Sequence, residues 1–186
     1  MDDAGLPVAG EKIGEICVKP LEPYVVFNGY FDDVIATREA FFGEWYRTGD
    51  LGRKDPITGA LFFVDRKKDA IRYAGRNIST MEVESVAIRH AAVKEVAAFG
   101  IPLAEVAGEH ELKLNVVLQG GSDLSCEDLA EFINENAPHY FVPRYMDFVD
   151  SLPMTPTNKV QKFKLREAGV GPSTWDLKLS SYQVKR

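Results

Sequence analysis

The stretch STMEVESVAIRH, residues 79–90, carries the clearest secondary-structure signal in the chain. It opens with Ser-Thr-Met-Glu, the Ser-x-x-Glu form of a capping box, in which the serine and glutamate side chains bond free backbone amides at a helix start. Val83, Val86 and Ala87 follow at the spacing of one helix face. The stretch therefore predicts an amphipathic helix that begins directly after Ser79.

Short strands and helices are predicted on both sides of this helix. The alternation from Leu112 to Leu118 is typical of a half-buried strand. The remaining signals are strands over 60–64, 70–73, 93–101 and 145–149 and helices over 125–137 and 163–167. The order strand, helix, strand, strand, helix, strand is typical of a small α/β or α+β domain. We expect the α+β class, with a short central sheet flanked by helices.

The first sixty residues contain no long periodic element. A short strand over 13–19 and one or two helical turns over 35–42 are too little to build a core. We therefore expect residues 1–66 to be the β-rich tail of a larger, missing N-terminal domain, residues 67–172 to form the small domain, and residues 173–186 to be a tail. The sequence does not decide whether this tail packs on the missing domain or is disordered.

Composition and charge exclude several functional classes. The 186 residues include 22 Lys and Arg against 28 Asp and Glu, a net charge of −6, which lacks the basic excess of a nucleic-acid binder. No apolar run approaches the roughly 20 residues of a membrane helix, and no signal peptide is visible. Cys17 and Cys126 have no metal-ligand spacing, which predicts reduced thiols, no metal site and a cytoplasmic protein.

The first polar cluster is Tyr46-Arg47-Thr48-Gly49-Asp50. Its Thr-Gly-Asp sequence predicts a tight loop that presents one carboxylate, and a carboxylate can accept hydrogen bonds from two adjacent hydroxyls, such as those of a ribose. By itself the cluster fits a simple turn equally well.

The second polar cluster joins the two predicted parts of the chain. Residues 65–69, Asp-Arg-Lys-Lys-Asp, form a charged connector that could absorb a backbone rotation between domains. Gly75 follows, and its missing Cβ would let a narrow ligand pass close to the backbone. A solvated charged turn would account for residues 65–69 equally well, and a plain hairpin turn would account for Gly75.

The third polar cluster is a loop that ends at Lys159. Two prolines and two threonines stiffen this loop, and Asn158 is suited to a turn conformation. A single ammonium on such a loop could neutralise a carboxylate and a phosphate together. Without further context Lys159 would be an ordinary surface lysine.

Taken together, these clusters resemble the C-terminal part of the adenylate-forming superfamily. Residues 46–50 match its Y-R-T-G-D motif, and residues 65–69 look like its hinge motif G-R-x-[D/K]-D, with Asp in place of Gly. Residues 75–84 resemble G-x-x-I-x-x-x-E-[VI]-E, and residues 152–159 resemble L-P-x-T-x-x-G-K, with Asn158 where Gly is usual. Order and spacing agree across nearly the whole chain, and the best subfamily match is a fatty-acid or carnitine–CoA ligase-like acyl-CoA synthetase.

The resemblance implies a two-step ligase reaction. A carboxylic acid attacks the α-phosphate of ATP to give acyl-AMP and pyrophosphate, and coenzyme A then displaces AMP. Position by position, Asp50 would bind the ribose hydroxyls and Arg66 would assist at the nucleotide. Lys68 would be the hinge, Gly75 would line the pantetheine channel, and Lys159 would be the catalytic lysine of adenylation.

The resemblance also implies that part of the enzyme lies elsewhere. The phosphate loop, the acyl pocket and the ligands of Mg²⁺ would belong to the large N-terminal domain, residues 1–66 being its tail, so this chain alone should be inactive.

Two other functions remain open. One is an adenylation domain that loads a carrier protein, against which count the lack of a carrier-like Asp-Ser-Leu segment and Asn77 where such members often have Arg. The other is a non-catalytic binding module. Retention of Asp50, Lys68 and Lys159 argues against that module, whereas the missing partner domain argues for it.

Overall fold

Residues 1–185, the part of the chain that the computed structural model describes, contain ten β-strands, four α-helices and one 3₁₀ helix (His139–Phe141). The chain divides into two units, Met1–Lys68 and a second that begins at Asp69. Both are mixtures of helix and strand, in agreement with the predicted α+β class. Among residues 1–185 no helix is both long and apolar enough to cross a membrane.

The first unit is an antiparallel sheet built around one long strand. Its elements are β1 (Gly14–Val18), α1 (Val34–Glu39), β2 (Phe41–Phe42), β3 (Trp45–Lys54) and β4 (Leu61–Arg66). Strand β1 pairs with one edge of β3, while β2 and β4 pair with the other edge. The helix α1 is short and begins where the Asp33 side chain accepts a hydrogen bond from the amide of Ala36.

The second unit begins with a hairpin and continues as a four-stranded sheet with helices. Its elements are β5 (Ile71–Tyr73), β6 (Arg76–Ile78), α2 (Thr80–Ala87), β7 (Val93–Pro102), β8 (His110–Leu118), α3 (Cys126–Asn136), β9 (Tyr145–Phe148), α4 (Lys162–Ala168) and β10 (Trp175–Asp176). The sheet order is β10-β9-β8-β7, and only the β8–β9 pair within it is parallel.

The helix predicted after Ser79 is confirmed. The Ser79 side chain accepts a hydrogen bond from the Glu82 amide at 3.4 Å, as a capping box requires. The residues at helical spacing, Val83, Val86 and Ala87, are buried in the main core with Leu129 and Ile133 of α3. The apolar face of α2 therefore forms one wall of that core.

Strand β8 is buried on both faces, so the prediction of a half-buried strand was wrong. Leu114 lies in the main core, whereas Val117 belongs to a second cluster with Leu165 of α4. Lys113 also points to a buried position, where its ammonium pairs with Asp147 at 2.6 Å. The alternation of apolar and polar residues suggested one solvent-facing side, because a lysine in a strand usually faces solvent. Here the lysine is buried, and its charge is compensated by a partner.

The residues that follow α4 are part of the second unit. Strand β10 pairs with β9, and the Trp175 indole donates a hydrogen bond to Glu127 at 2.9 Å. The Tyr182 hydroxyl donates to Asn134 at 3.0 Å. Packing of this segment on the main core settles the question that the sequence leaves open for residues 173–185. Arg186, the last residue of the predicted tail, lies outside the described residues.

Candidate functional site

An open depression of about 470 Å³ lies on the first unit. It brings together three of the predicted site residues, Asp50, Arg66 and Lys68. Its full lining is Glu15, Arg47, Thr48, Gly49, Asp50, Arg66, Lys67 and Lys68. Its lining contains three carboxyl or hydroxyl side chains and four cationic ones, a composition suited to a polar and anionic ligand.

Asp50 lies within strand β3, not on a separate tight loop as predicted. The pairing of β1 with β3 is irregular here, because Ile16 alone stands opposite residues 48–50. Gly49 takes a φ of 75°, and the Thr48 hydroxyl donates to the Ile16 carbonyl at 2.7 Å. The bulge re-aims the strand. The Asp50 amide donates to the Thr48 hydroxyl at 3.1 Å, which holds the Asp50 backbone in place.

Arg66 stands directly opposite Asp50 at the end of β4. The Arg66 Nε atom lies 3.8 Å from Asp50 Oδ1, and both side chains are largely accessible. An ion pair this long and exposed is weak, so neither group is committed to the other. The carboxylate can therefore accept hydrogen bonds from a bound hydroxyl pair while the guanidinium faces an anion.

A buried carboxylate, Glu15, supports this depression, and sequence reasoning did not identify it. Its side chain is 2% exposed and accepts hydrogen bonds from Arg47 at 3.0 Å, Lys67 at 3.0 Å and the Gly49 amide at 3.2 Å. Burial alone would raise the pKa of Glu15, but the hydrogen bonds from the two cations outweigh it and lower that pKa. The available sequence signal is a glutamate inside the strand predicted over 13–19.

Lys68 is the last residue of the first unit. The backbone before it is held, because the Lys67 amide donates to the Gly49 carbonyl at 2.8 Å. Immediately after it, Asp69 belongs to the second unit and pairs with Arg166 at 3.0 Å. Lys68 itself is exposed and lies in a turn, so it stands between two anchored residues. Its role as a hinge stays a prediction.

Gly75 forms the turn of the β5–β6 hairpin in the second unit. Ala74 and Gly75 both have positive φ values, 47° and 74°, as two-residue hairpins require. The Gly75 amide donates to Glu109 at 3.3 Å, and no atom lies within 4 Å of the position that a Cβ would occupy. The positive φ of the turn thus accounts for a glycine at this position, and its place beside pantetheine stays a prediction.

Lys159 lies on a tight loop of the second unit. The Thr155 amide donates to the Lys159 carbonyl at 2.8 Å, and the Lys159 amide donates to the Thr155 hydroxyl at 3.0 Å. Asn158 has a φ of 57°, in the left-handed region that asparagine tolerates better than most residues. The exposed Lys159 ammonium has no ion-pair partner within residues 1–185 and is free to meet a ligand.

No group of three or more His, Cys, Asp or Glu side chains within residues 1–185 is arranged to hold a metal ion. Both cysteines are free thiols. Burial raises the pKa of Cys17 and raises that of Cys126 to about 11, so both are protonated at neutral pH. Neither thiol is activated for nucleophilic chemistry.

The chain is similar to known ligases in sequence. Residues 82–159 match the AMP-binding enzyme C-terminal domain. The chain is 31% identical over 166 residues to the crotonobetaine/carnitine–CoA ligase of Escherichia coli, an alignment that covers 89% of this chain and 32% of that enzyme. The chain thus spans about one third of the length of the curated relatives it matches.

Solved structures share the fold over most of this chain. ATP-bound MatB from Rhodopseudomonas palustris matches with a TM-score of 0.78 and 29% identity, covering 90% of this chain and 32% of MatB. The amide bond synthetase McbA from Marinactinospora thermotolerans matches with a TM-score of 0.74 and 31% identity, covering 90% and 33%. The chain therefore belongs to the adenylate-forming superfamily, and residues 82–159 are its AMP-binding enzyme C-terminal domain.

Proposed function

We propose that this chain is the C-terminal region of an ATP-dependent acyl-CoA ligase. The enzyme would convert a carboxylic acid and ATP to acyl-AMP and pyrophosphate, then transfer the acyl group to coenzyme A and release AMP. The activity would belong to a longer polypeptide, because the chain spans only 32% of the carnitine–CoA ligase that it resembles. The large domain of that polypeptide would supply the ligands of Mg²⁺ and the acyl pocket.

The observation that carries the proposal is the grouping of Asp50, Arg66 and Lys68 along one depression. Asp50 would accept hydrogen bonds from the two ribose hydroxyls of ATP or AMP, since its carboxylate is only weakly engaged by Arg66 at 3.8 Å. The Arg66 guanidinium would then remain available to the anionic part of the nucleotide.

Lys159 would serve the first half-reaction. Attack of a carboxylate oxygen on the α-phosphorus places two anionic groups together, and the bond to pyrophosphate breaks as the new bond forms. An ammonium held on a rigid loop lowers that barrier electrostatically, without moving a proton. The Lys159 side chain is exposed and has no ion-pair partner in the described part of the chain, and its backbone is hydrogen-bonded, which suits this role.

Lys68 and Gly75 would serve the change to the second half-reaction. Lys68 ends the first unit and stands between two anchored residues, so a backbone rotation there would move the second unit as one body. The Gly75 hairpin would then line the path of the thiol, which attacks the acyl carbonyl as AMP leaves. Such a rotation would gate the chemistry without adding to it.

A second candidate, amide synthesis, is favoured by the similarity to the amide bond synthetase McbA. It would share the adenylation step and differ in the acceptor, because an amine in place of a thiol would attack the acyl carbonyl. Loading of a carrier protein would also share that step. A non-catalytic binding module would carry out neither step.

The test is a half-reaction assay on the full-length protein and its Lys159→Ala variant. Pyrophosphate release is followed with ATP, Mg²⁺ and a panel of carboxylic acids, and thioester formation is followed separately from supplied acyl-adenylate and coenzyme A. We expect the variant to lose at least 100-fold in pyrophosphate release, in line with about 10²–10³ for other electrostatic groups at a transition state, and to keep thioester formation. Lys164→Ala, which changes another exposed lysine five positions away, is the matched control.

The other outcomes separate the candidates. Equal pyrophosphate release from native protein and Lys159→Ala would make Lys159 a surface lysine. Pyrophosphate release followed by product with an amine, but not with coenzyme A, would replace the ligase proposal by amide synthesis. Absence of pyrophosphate release with every acid would favour the binding module.

A further inference from the structure

A second lysine near this loop, Lys162, has a side chain that is held by partners, whereas the Lys159 side chain has no ion-pair partner within residues 1–185. Lys162 is the first residue of α4, and its side chain is 14% exposed. Its ammonium donates a hydrogen bond to the Thr80 hydroxyl at 2.8 Å and pairs with Glu84 Oε1 at 2.8 Å. A lysine is rarely buried to this extent unless its charge is compensated, and here both contacts come from helix α2.

The acceptors of Lys162 belong to the rigid part of the second unit. Thr80 is fully buried at the start of α2. Glu84 is fixed in turn, because its Oε1 atom accepts a hydrogen bond from the Ala98 amide of β7 at 2.8 Å. The Lys162 ammonium therefore joins α4 to a helix and a strand that both contribute to the core.

Lys162 lies where the loop that carries Lys159 returns to the core of the second unit. Met154 and Val160 form an isolated β-bridge, and the Gln161 amide donates to the Pro153 carbonyl at 2.8 Å. These contacts close the loop upon itself but do not attach it to α2. Lys162 supplies that attachment directly after Gln161, three positions beyond Lys159.

We propose that Lys162 is a positioning residue for Lys159. Its ion pair with Glu84 fixes the C-terminal end of the loop and thereby the direction in which the Lys159 ammonium projects. Lys162 does not contact substrate, because its own ammonium is engaged within the unit. This role rests on the proposed function of Lys159 in adenylation, because Lys162 would hold Lys159 in place for that step.

The functional test compares Lys162→Met with Lys164→Met in the full-length protein. Lys164 lies on the same helix, is exposed and has no ion pair within residues 1–185. Since small displacements of a catalytic group can cost up to about 100-fold, we expect Lys162→Met to lower pyrophosphate release by roughly 10- to 100-fold. Thioester formation from supplied acyl-adenylate should stay within about twofold, and Lys162→Arg should recover most of the lost rate.

A double-mutant cycle distinguishes positioning from general destabilisation. If Lys162 acts through Lys159, adding Lys162→Met to a Lys159→Ala protein should cause no further loss of pyrophosphate release. A further loss of the same size, or an equal loss in both half-reactions, would overturn the inference. So would a Lys162→Met protein with native pyrophosphate release.

Amide hydrogen exchange tests the structural half of the inference without activity. The amides of Asn158, Lys159 and Gln161 are all hydrogen-bonded in the loop and should exchange faster in Lys162→Met than in Lys164→Met. Unchanged exchange would overturn the inference. If the native protein releases no pyrophosphate, the proposed function fails, and this exchange measurement alone decides whether Lys162 holds the loop.

Discussion

Replacing Glu15 by glutamine should destabilise the first unit by an amount that the structure allows us to work out. Glutamine keeps the size of the side chain but removes the charge that faces Arg47 and Lys67. Arg47 and Lys67 stay charged, so their bonds still involve a charged group, a class that contributes about 1.5–3 kcal/mol. A bond between a cation and a carboxylate lies at the upper end of that range and one between a cation and a neutral amide oxygen at the lower end, so each cation loses about 1 kcal/mol. The side chains of Arg47 and Lys67 are 26% and 34% exposed, so solvent screens both charges and limits the loss of stability. The expected total is about 2 kcal/mol, or about 30-fold in the unfolding equilibrium.

The two tryptophans allow this loss to be measured in the first unit alone. Trp45 lies on β3 and Trp175 on β10, so a Trp175→Phe background leaves Trp45 as the single indole reporter. Urea unfolding at pH 7 is followed by Trp45 fluorescence with and without Glu15→Gln. Glu44→Gln is the matched control, because Glu44 pairs with Lys19 at the surface and should leave the unfolding midpoint unchanged.

The effect should depend on pH with a definite sign. The folded-state pKa of Glu15 is lowered below its ordinary value of 4.5. Its contribution to stability is therefore complete above that value and is lost as pH falls through the folded-state pKa. The difference between native protein and Glu15→Gln should shrink below pH 4.5. A difference that matches Glu44→Gln at pH 7, or that persists unchanged in acid, would refute the argument.

Two further predictions follow from local geometry. Asn158→Gly should keep native pyrophosphate release in the full-length protein, whereas Asn158→Val should lower it, because a β-branched residue at a φ of 57° is strained by about 1–2 kcal/mol. Equal rates for both variants would contradict this. Burial raises the pKa of Cys126 to about 11, so iodoacetamide should modify this thiol slowly at pH 8 and much faster after unfolding in urea. Equal rates in folded and unfolded protein, read by mass spectrometry, would show that Cys126 is not protected.

Much of the fold follows from short-range signals. The capping box at Ser79 predicts the start of α2, and the structure contains the predicted hydrogen bond. Gly169, with a φ of 65°, ends α4 where the sequence predicts an end. Part of the candidate site can also be predicted from the sequence, since the order of the motifs singles out Asp50 and Arg66. That Asp50 and Arg66 stand opposite each other follows from the register of β3 and β4, and the motifs do not specify this register.

The supporting charges could not be predicted from sequence. Glu15 bonds to Lys67, 52 positions away, and Lys162 bonds to Thr80, 82 positions away. Each of these residues has the pattern of an ordinary surface charge until the partner is known. Lys113 misled the prediction of a half-buried strand for the same reason, since Asp147 compensates its charge inside the fold.

By itself, the sequence determined where the main helices start, that Asn158 lies in a turn and Gly169 at a helix end, and the order of motifs that resembles the adenylate-forming superfamily. Caps and turns depend on backbone groups within about four residues, so a local stretch contains all the information they need. The tertiary structure alone decided that β8 is buried on both faces, that the segment after α4 packs on the core, and which cations surround Glu15. Burial and charge pairing depend on which distant strands and helices become neighbours, and this is settled only when the chain has folded.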